Sequence, residues 1–336
     1  MLEPTPAAPS GADLHTLLAR LGDASYSEAR CDTIADLVGE VQQLKRDRNA
    51  VVLAHNYQRP EIFQVADFVG DSLELARQAT KVDAEVIVFC GVHFMAETAK
   101  ILNPSRRVIL PDLRAGCSLA DSVTAEDLAE RAAELRAAYP DLAVVGYVNT
   151  TADVKAECDA CCTSSNAVRI VEALPSEHIL FVPDRNLAAH VQSQTRKTII
   201  AWDGNCYVHQ QITPEQIAAV RTTLPHVKIL AHPECRQDVL ALADAVLSTS
   251  GMVRYATESP AQEFLVVTEC GLSDRLLLEV PQKRFYKSCK LCAYMKMITL
   301  EGTRDALRDL EPEITLPEGV RVRAARALER MLELGG

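Results

Sequence analysis

The chain is predicted to be an α/β protein: three similar α/β/α sandwich domains with parallel sheets arranged about a pseudo-threefold axis. Three observations carry that prediction. Buried-type strands alternate with amphipathic stretches along most of the chain, the alternation recurs three times, and polar residues at the strand ends recur at one spacing.

Composition bounds what such a fold can do. The 336 residues carry 35 Lys+Arg against 46 Asp+Glu, a formal net charge of −11, and 48% are hydrophobic. A field that negative repels a phosphate backbone, which excludes nucleic acid as a partner. Any anionic ligand must be caught by local donors. Apolar runs such as Val86 to Cys90 are strand-sized, far short of the roughly 20 residues that span a bilayer, so no membrane role is expected. The first residues hold Glu3 and prolines where a signal peptide has positive charge and an apolar run. The expected location is cytoplasmic.

Residues 1–48 read as an N-terminal helical segment. Domain 1 (49–140) opens with VVLAHNYQRPEIFQVADFVGDS from Val51, domain 2 (141–225) with AVVGYVNTTADVKAECDACCTSS from Ala143, and domain 3 (226–310) with KILAHPECRQDVLALADAVLSTSG from Lys228. Each opening reads as strand, turn and amphipathic helix. The helical period runs through Ile62, Val65, Ala66 and Val69, through Val154, Cys158 and Cys161, and through Val239, Leu242, Ala243 and Val246. A second strand comes next in each domain: VIVFCG from Val86, HILFV from His178 and EFLVV from Glu263. A third, RVILPDLRAGC, TIIAWDGNC or KRFYKSCKLC, runs into a cysteine. Residues 311–336 read as a connector and a helix. Units of about 90 residues are marginal alone, so the three are expected to share a core.

The spacing of polar residues tests the repeat. His55 to Ser72, Tyr147 to Ser164 and His232 to Thr249 are each 17 residues apart. Two residues beyond the first anchors stand Tyr57, Asn149 and Glu234. From the same anchors, Cys117, Cys206 and Cys292 lie 62, 59 and 60 residues on, so these cysteines occupy equivalent positions.

Thiolates at equivalent positions around a threefold axis converge, and the centres that take them are zinc and iron–sulfur clusters. Three ligands leave one iron of a four-iron cubane open to water or substrate, where it acts as a Lewis acid. The eleven cysteines are an odd number, which with a reducing compartment argues against a disulfide framework. Cys31, Cys90, Cys158, Cys161 and Cys162 read as core residues, while Cys235 and Cys270 sit near strand ends. Cys289 and Cys292 form a C-x-x-C. Cys292 is assigned to the metal centre by its repeat position, and Cys289 is read as a candidate thiol switch.

Ser72, Ser164 and Thr249 are expected to cap helices whose free N–H groups attract an anion. His55, Tyr57, Tyr147, His232 and Glu234 supply groups for acid–base work around the same point. Asn149 can donate to a carboxylate. Glu234 is the candidate base.

Several segments resemble the quinolinate synthase family: AHNYQ at 54–58, GDSLELA at 70–76, VFCGVHFMAETAKIL at 88–102, LPDLRAGCSLAD at 110–121, YVNTTADVKAECD at 147–159, CTSSNAV at 162–168, HPEC at 232–235, STSGM at 248–252 and CAYMKM at 292–297. The resemblance spans about residues 50–300. It implies a [4Fe–4S] cluster on Cys117, Cys206 and Cys292, and condensation of iminosuccinate with dihydroxyacetone phosphate to quinolinate, phosphate and water in NAD biosynthesis. It also implies substrate binding by His55, Ser72, Tyr147, Asn149, Ser164, His232, Glu234 and Thr249, with Tyr57, His232 and Glu234 catalytic, and L-aspartate oxidase as the functional partner that supplies the imine. The chain has Ala293 where some members have proline, and Tyr207 where some have histidine. Two other readings are a different cluster-dependent hydro-lyase and a non-catalytic iron–sulfur sensor. The first predicts other products, the second four protein ligands and no substrate cavity.

Overall fold

Short apolar runs rich in Val, Ile and Leu form twelve strands among residues 8–335, the part of the chain that the computed structural model describes. They build three separate four-stranded sheets. The first holds β1 (Ala50–His55), β2 (Phe68–Gly70), β3 (Val86–Cys90) and β4 (Arg107–Ile109). The second holds β5 (Ala143–Tyr147), β6 (Ala160–Cys162), β7 (His178–Val182) and β8 (Thr198–Ala201). The third holds β9 (Lys228–Ala231), β10 (Ala245–Val246), β11 (Glu263–Val267) and β12 (Arg284–Lys287). The orders are β2-β1-β3-β4, β6-β5-β7-β8 and β10-β9-β11-β12, with every pair parallel. One topology is therefore repeated three times, and helices cover the sheet faces as parallel strands require.

Each sheet has one strand more than the sequence suggested. The amphipathic helices expected after β1, β5 and β9 shrink to a 3₁₀ turn at Ile62–Gln64 and to helices at Ala152–Ala156 and Gln237–Leu240. The chain then enters an edge strand in each unit. Cys161 lies in β6 and Val69 in β2, so the apolar spacing that reads as one helix face is shared between a turn and a strand. An aspartate secures each join. Asp67, Asp159 and Asp244 accept from the backbone N–H of Val52, Val144 and Ile229 at 2.7, 2.8 and 2.8 Å. Their own N–H groups donate back to the carbonyls of the same three residues.

Outside the sheets, Ser10 and Ser27 cap helices Gly11–Leu18 and Glu28–Asp47, and the second packs on β1 and on helix Leu300–Asp309. The first seven residues of the expected N-terminal segment, and Gly336, lie outside the described residues. The chain ends in helix Glu318–Leu334, which rests on helices His93–Leu102 and Ala152–Ala156 and on β6. One continuous apolar core joins the first and second units and part of the third, with smaller clusters on the outer faces of the second and third sheets. No helix among the described residues is long and apolar enough to cross a membrane.

Candidate active site

In parallel sheets, ligands bind beyond the carboxyl ends of the strands. His55 ends β1, Tyr147 ends β5 and His232 comes directly after the last residue of β9. All three reach one cavity. Its wall also holds Tyr57, Asn149 and Glu234 from the turns after those strands, and Ser72, Ser164 and Thr249 from the segments beyond the edge strands. Cys117, Cys206 and Cys292 complete it, one from the loop after the last strand of each unit. The structure thus brings together every residue that the repeat and the resemblance single out.

The hydroxyls do not cap helices as expected. Asp71 caps helix Ser72–Lys81 by accepting from the N–H of Leu73 and Glu74, and Ser248 caps helix Thr249–Glu258 by accepting from Gly251. A cap residue has an extended backbone with its side chain turned back onto the helix. Ser72 and Thr249 come one residue later, as the first helical residue, which leaves their hydroxyls for the cavity. Ser164 lies two residues before Asn166, the cap position of the short helix Ala167–Ala173, so that unit contributes a hydroxyl without a long helix behind it.

The titratable groups are buried, and burial dominates their behaviour. It pushes the His55 and His232 imidazoles down to about 3, assisted at His55 by its neighbour His232. Nδ1 of each accepts from a backbone N–H two residues on, Tyr57 to His55 at 3.2 Å and Glu234 to His232 at 3.4 Å. Both rings are therefore neutral with the proton on Nε2, a donor. Burial, then the nearby Glu234 charge, raises the Tyr57 and Tyr147 hydroxyls well above the ordinary phenol value. At Glu234 burial acts upward, but the imidazoles of His209 and His232 and the Tyr147 hydroxyl, which donates at 2.5 Å, outweigh it and hold the carboxyl below its usual range. Asn149 Oδ1 is buried without a hydrogen-bond partner. An orphaned acceptor on a cavity wall is a place for a ligand N–H or O–H.

The three thiols are raised above the usual cysteine value, Cys117 to about 12, chiefly by burial. Mutual repulsion adds to this, from Cys292 on Cys117 and from Cys117 on Cys206. A site that resists bare thiolates yet gathers three of them suits a cation that takes the charge. Cys206, His209 and Glu234 also place ligand atoms within 4.8 Å of one another, though the histidine and the carboxylate already face each other at 2.9 Å.

Several residues at the site escaped sequence reasoning. His209 lines the cavity from helix Tyr207–Gln210, and its ring stacks on His232 with centroids 4.8 Å apart. Asp184 and Glu269 lie two residues past β7 and β11, start the next helices, and accept from the backbone N–H of Cys206 at 3.2 Å and of Cys292 at 3.0 Å. An acid two residues after the second predicted strand, repeated in two domains, was a signal present in the sequence. Gly271 packs so closely beneath Tyr57 that a Cβ there would lie 2.6 Å from the Tyr57 carbonyl oxygen.

The remaining cysteines divide. Cys31, Cys90, Cys161 and Cys162 are buried, Cys158 is half-buried, and Cys235 is buried in the third unit. Cys289 does not pair within its C-x-x-C. It forms a disulfide with Cys270, 19 residues earlier, which ties the start of helix Cys270–Glu279 to the loop carrying Cys292.

This arrangement has relatives. Residues 39–333 match the family of the quinolinate synthetase A protein. The chain is 52% identical over 306 residues to the quinolinate synthase of Desulforudis audaxviator, covering 90% of this chain and all of the relative. It is 49% identical over 300 residues to quinolinate synthase 1 of Methanosarcina acetivorans, covering 89% of this chain and 97% of the relative. Against the quinolinate synthase of Xylella fastidiosa the identity is 48% over 322 residues, 96% of this chain and 94% of that one. Similarity that runs through all three sheets and every loop reaching the cavity leaves one conclusion: the chain belongs to the quinolinate synthase family.

Proposed function

We propose that the chain makes quinolinate in the cytoplasm, in NAD biosynthesis, by condensing iminosuccinate with dihydroxyacetone phosphate and releasing phosphate and water. In this reading a [4Fe–4S] cluster is held by Cys117, Cys206 and Cys292. The observation that carries it is that three thiols, one from each unit, share a cavity wall with the hydroxyl, amide and carboxyl groups of the strand ends. The donor set fits the group, since thiolate sulfur is the usual ligand of iron–sulfur centres. When bound, the cluster supplies an open iron as Lewis acid.

The chain's own residues do the rest. No lysine or arginine lines the cavity among the described residues, so the carboxylates and the phosphate are held by neutral donors. Those donors are the hydroxyls of Ser72, Ser164 and Thr249, the Asn149 amide and the Nε2–H groups of His55 and His232. The free N–H groups at the starts of the two ten-residue helices add partial positive charge. Glu234, ionised and buried, withdraws protons from the carbon and nitrogen of the imine. Tyr57, whose raised hydroxyl stays protonated, donates to the oxygen that leaves as water. L-aspartate oxidase is the partner that supplies iminosuccinate, an imine that water destroys.

Anaerobic purification followed by iron and sulfide counts tests this. The wild type is expected to carry about four of each, and Cys117→Ser, Cys206→Ser and Cys292→Ser each to lose the centre and quinolinate formation. Full iron content in all three variants overturns the assignment.

A further inference from the structure

Lysine is almost never fully buried unless something pairs with it, and Lys155 has no exposed surface. It sits in helix Ala152–Ala156 of the second unit. Its Nζ donates to the Thr150 carbonyl and stands 5.5 Å from the centre of the Phe94 ring of the first unit. Glu97, also buried, follows Phe94 on the same face of helix His93–Leu102 and reaches in the opposite direction. Its Oε2 accepts from the Ala152 N–H at 2.9 Å, while Oε1 faces His93 at 3.7 Å. Burial pushes the Glu97 carboxyl up and the Lys155 ammonium down, and each charge opposes the other's shift.

Both side chains close on one short turn. Residues 148–151 join β5 to helix Ala152–Ala156 and carry Asn149 onto the cavity wall. On the β5 side, the Val148 N–H donates to the Cys162 carbonyl at 2.9 Å and Thr150 Oγ1 to the Tyr147 carbonyl at 3.0 Å. On the helix side, Lys155 holds the Thr150 carbonyl and Glu97 holds the Ala152 N–H. Thr150 and Ala152 are themselves buried, so without these partners both backbone groups would be orphaned in the interior. Asn149 Oδ1 has no hydrogen-bond partner among the described residues. The turn that holds it, and not bonds of its own, sets where that group points.

We propose that Lys155 and Glu97 are positioning residues that clamp the 148–151 turn and so aim the Asn149 amide at the substrate. The proposal rests on the reading of Asn149 as a substrate-binding residue. The clamp works across the boundary of two units. The helix that supplies Glu97 also places Phe94 and Met95 on the cavity wall, and Lys155 covers the Phe94 ring from the second unit. Each unit thus fixes a wall residue of the other. Hydrogen bonds weaken steeply with misalignment, so a neutral donor that must hold an anion needs such support more than a mobile lysine would.

Lys155→Met keeps the length of the side chain and removes the donor, Glu97→Ala removes the acceptor, and Glu97→Gln keeps an acceptor without the charge. The readout is the dissociation constant of cluster-loaded enzyme for quinolinate, a stable dicarboxylate, taken by calorimetry beside KM and kcat. Lys155→Met and Glu97→Ala are each expected to weaken quinolinate binding about tenfold, the worth of one hydrogen bond. KM should rise in step while kcat stays within about threefold, and Glu97→Gln should stay within about threefold of wild type throughout. In an Asn149→Ala background either clamp variant should add less than about twofold, because the residue it positions is gone. General loosening of the core would weaken binding with or without Asn149, so full multiplication of the two effects overturns the proposal, as does wild-type binding in both clamp variants. Glu97→Ala completes the same cycle if Lys155→Met does not fold. Asn149→Ala separates the two claims. If it binds quinolinate as the wild type does, the reading of Asn149 fails and the clamp with it; if it binds weakly while both clamp variants are normal, the clamp alone fails.

Discussion

His55 and His232 do two jobs that one pKa shift explains. Each is buried, each accepts a backbone N–H on Nδ1, and each is held neutral with its pKa near 3. In the unfolded chain the same rings titrate near the ordinary value of about 6.5. The folded value is the lower, so below about pH 6.5 the unfolded state binds more protons and folding loses stability as pH falls. The slope is about 1.4 kcal/mol per pH unit for each ring, and it persists until the folded rings titrate. The urea midpoint of the wild type should therefore fall between pH 7 and pH 5, and the fall should be shallower by one proton in His55→Asn. An unchanged slope in that variant would mean that the ring is charged in the folded protein. Both histidines were legible in the sequence because they sit at strand ends in matching register. His209 and Thr268 were not: neither belongs to a spaced triplet, and they meet Glu234 and Tyr57 only when three units pack together.

The elements show why the strand count came out one short. Sequence periodicity reads apolar spacing, and Ile62, Val65, Ala66 and Val69 satisfy a helix face although the chain turns and then pairs as β2. Backbone hydrogen bonding decides the outcome, secured at each join by Asp67, Asp159 and Asp244. These three aspartates are themselves equivalent in the repeat, so the missing strand had a signature in acids rather than in apolar residues. The Cys270–Cys289 link belongs to this scale too. A C-x-x-C suggests a local pair, yet Cys289 is tied back to the start of a helix, and this leaves Cys292 free with its N–H held by Glu269. Cys289→Ser should consequently keep the full iron and sulfide content of the wild type, whereas Cys292→Ser should lose it. The Cys289→Ser variant should also unfold at lower denaturant, because opening a loop of this size removes about 3 kcal/mol of constraint on the unfolded chain. Loss of iron in Cys289→Ser would place the metal ligand one step earlier in the motif.

Across the whole molecule, the cavity belongs to no single unit. Asn56 donates to Thr249 at 2.7 Å, Ser248 to Asp71 at 3.0 Å, Tyr147 to Glu234, and Asn186 to the Glu234 carbonyl at 3.0 Å. Each of these bonds crosses between sheets, so any change in how the units dock moves the groups of the cavity wall relative to one another. The C-terminal helix Glu318–Leu334 packs on two of the units without touching the cavity wall. It bridges helix His93–Leu102 of the first unit and helix Ala152–Ala156 of the second, and it buries Ala324, Ala327, Leu328 and Met331 completely. Leu328→Ala shortens a side chain that has no exposure, which costs about 2–5 kcal/mol through lost burial and the cavity left behind. The helix contributes no residue to the cavity wall, so its effect reaches the site only through stability. Leu328→Ala should lower the thermal midpoint by several degrees and leave KM and kcat near wild type at 25 °C, with activity lost at the same temperature as secondary structure. A variant that keeps its thermal midpoint but loses kcat would show instead that this helix sets the alignment of the first two units across the cavity.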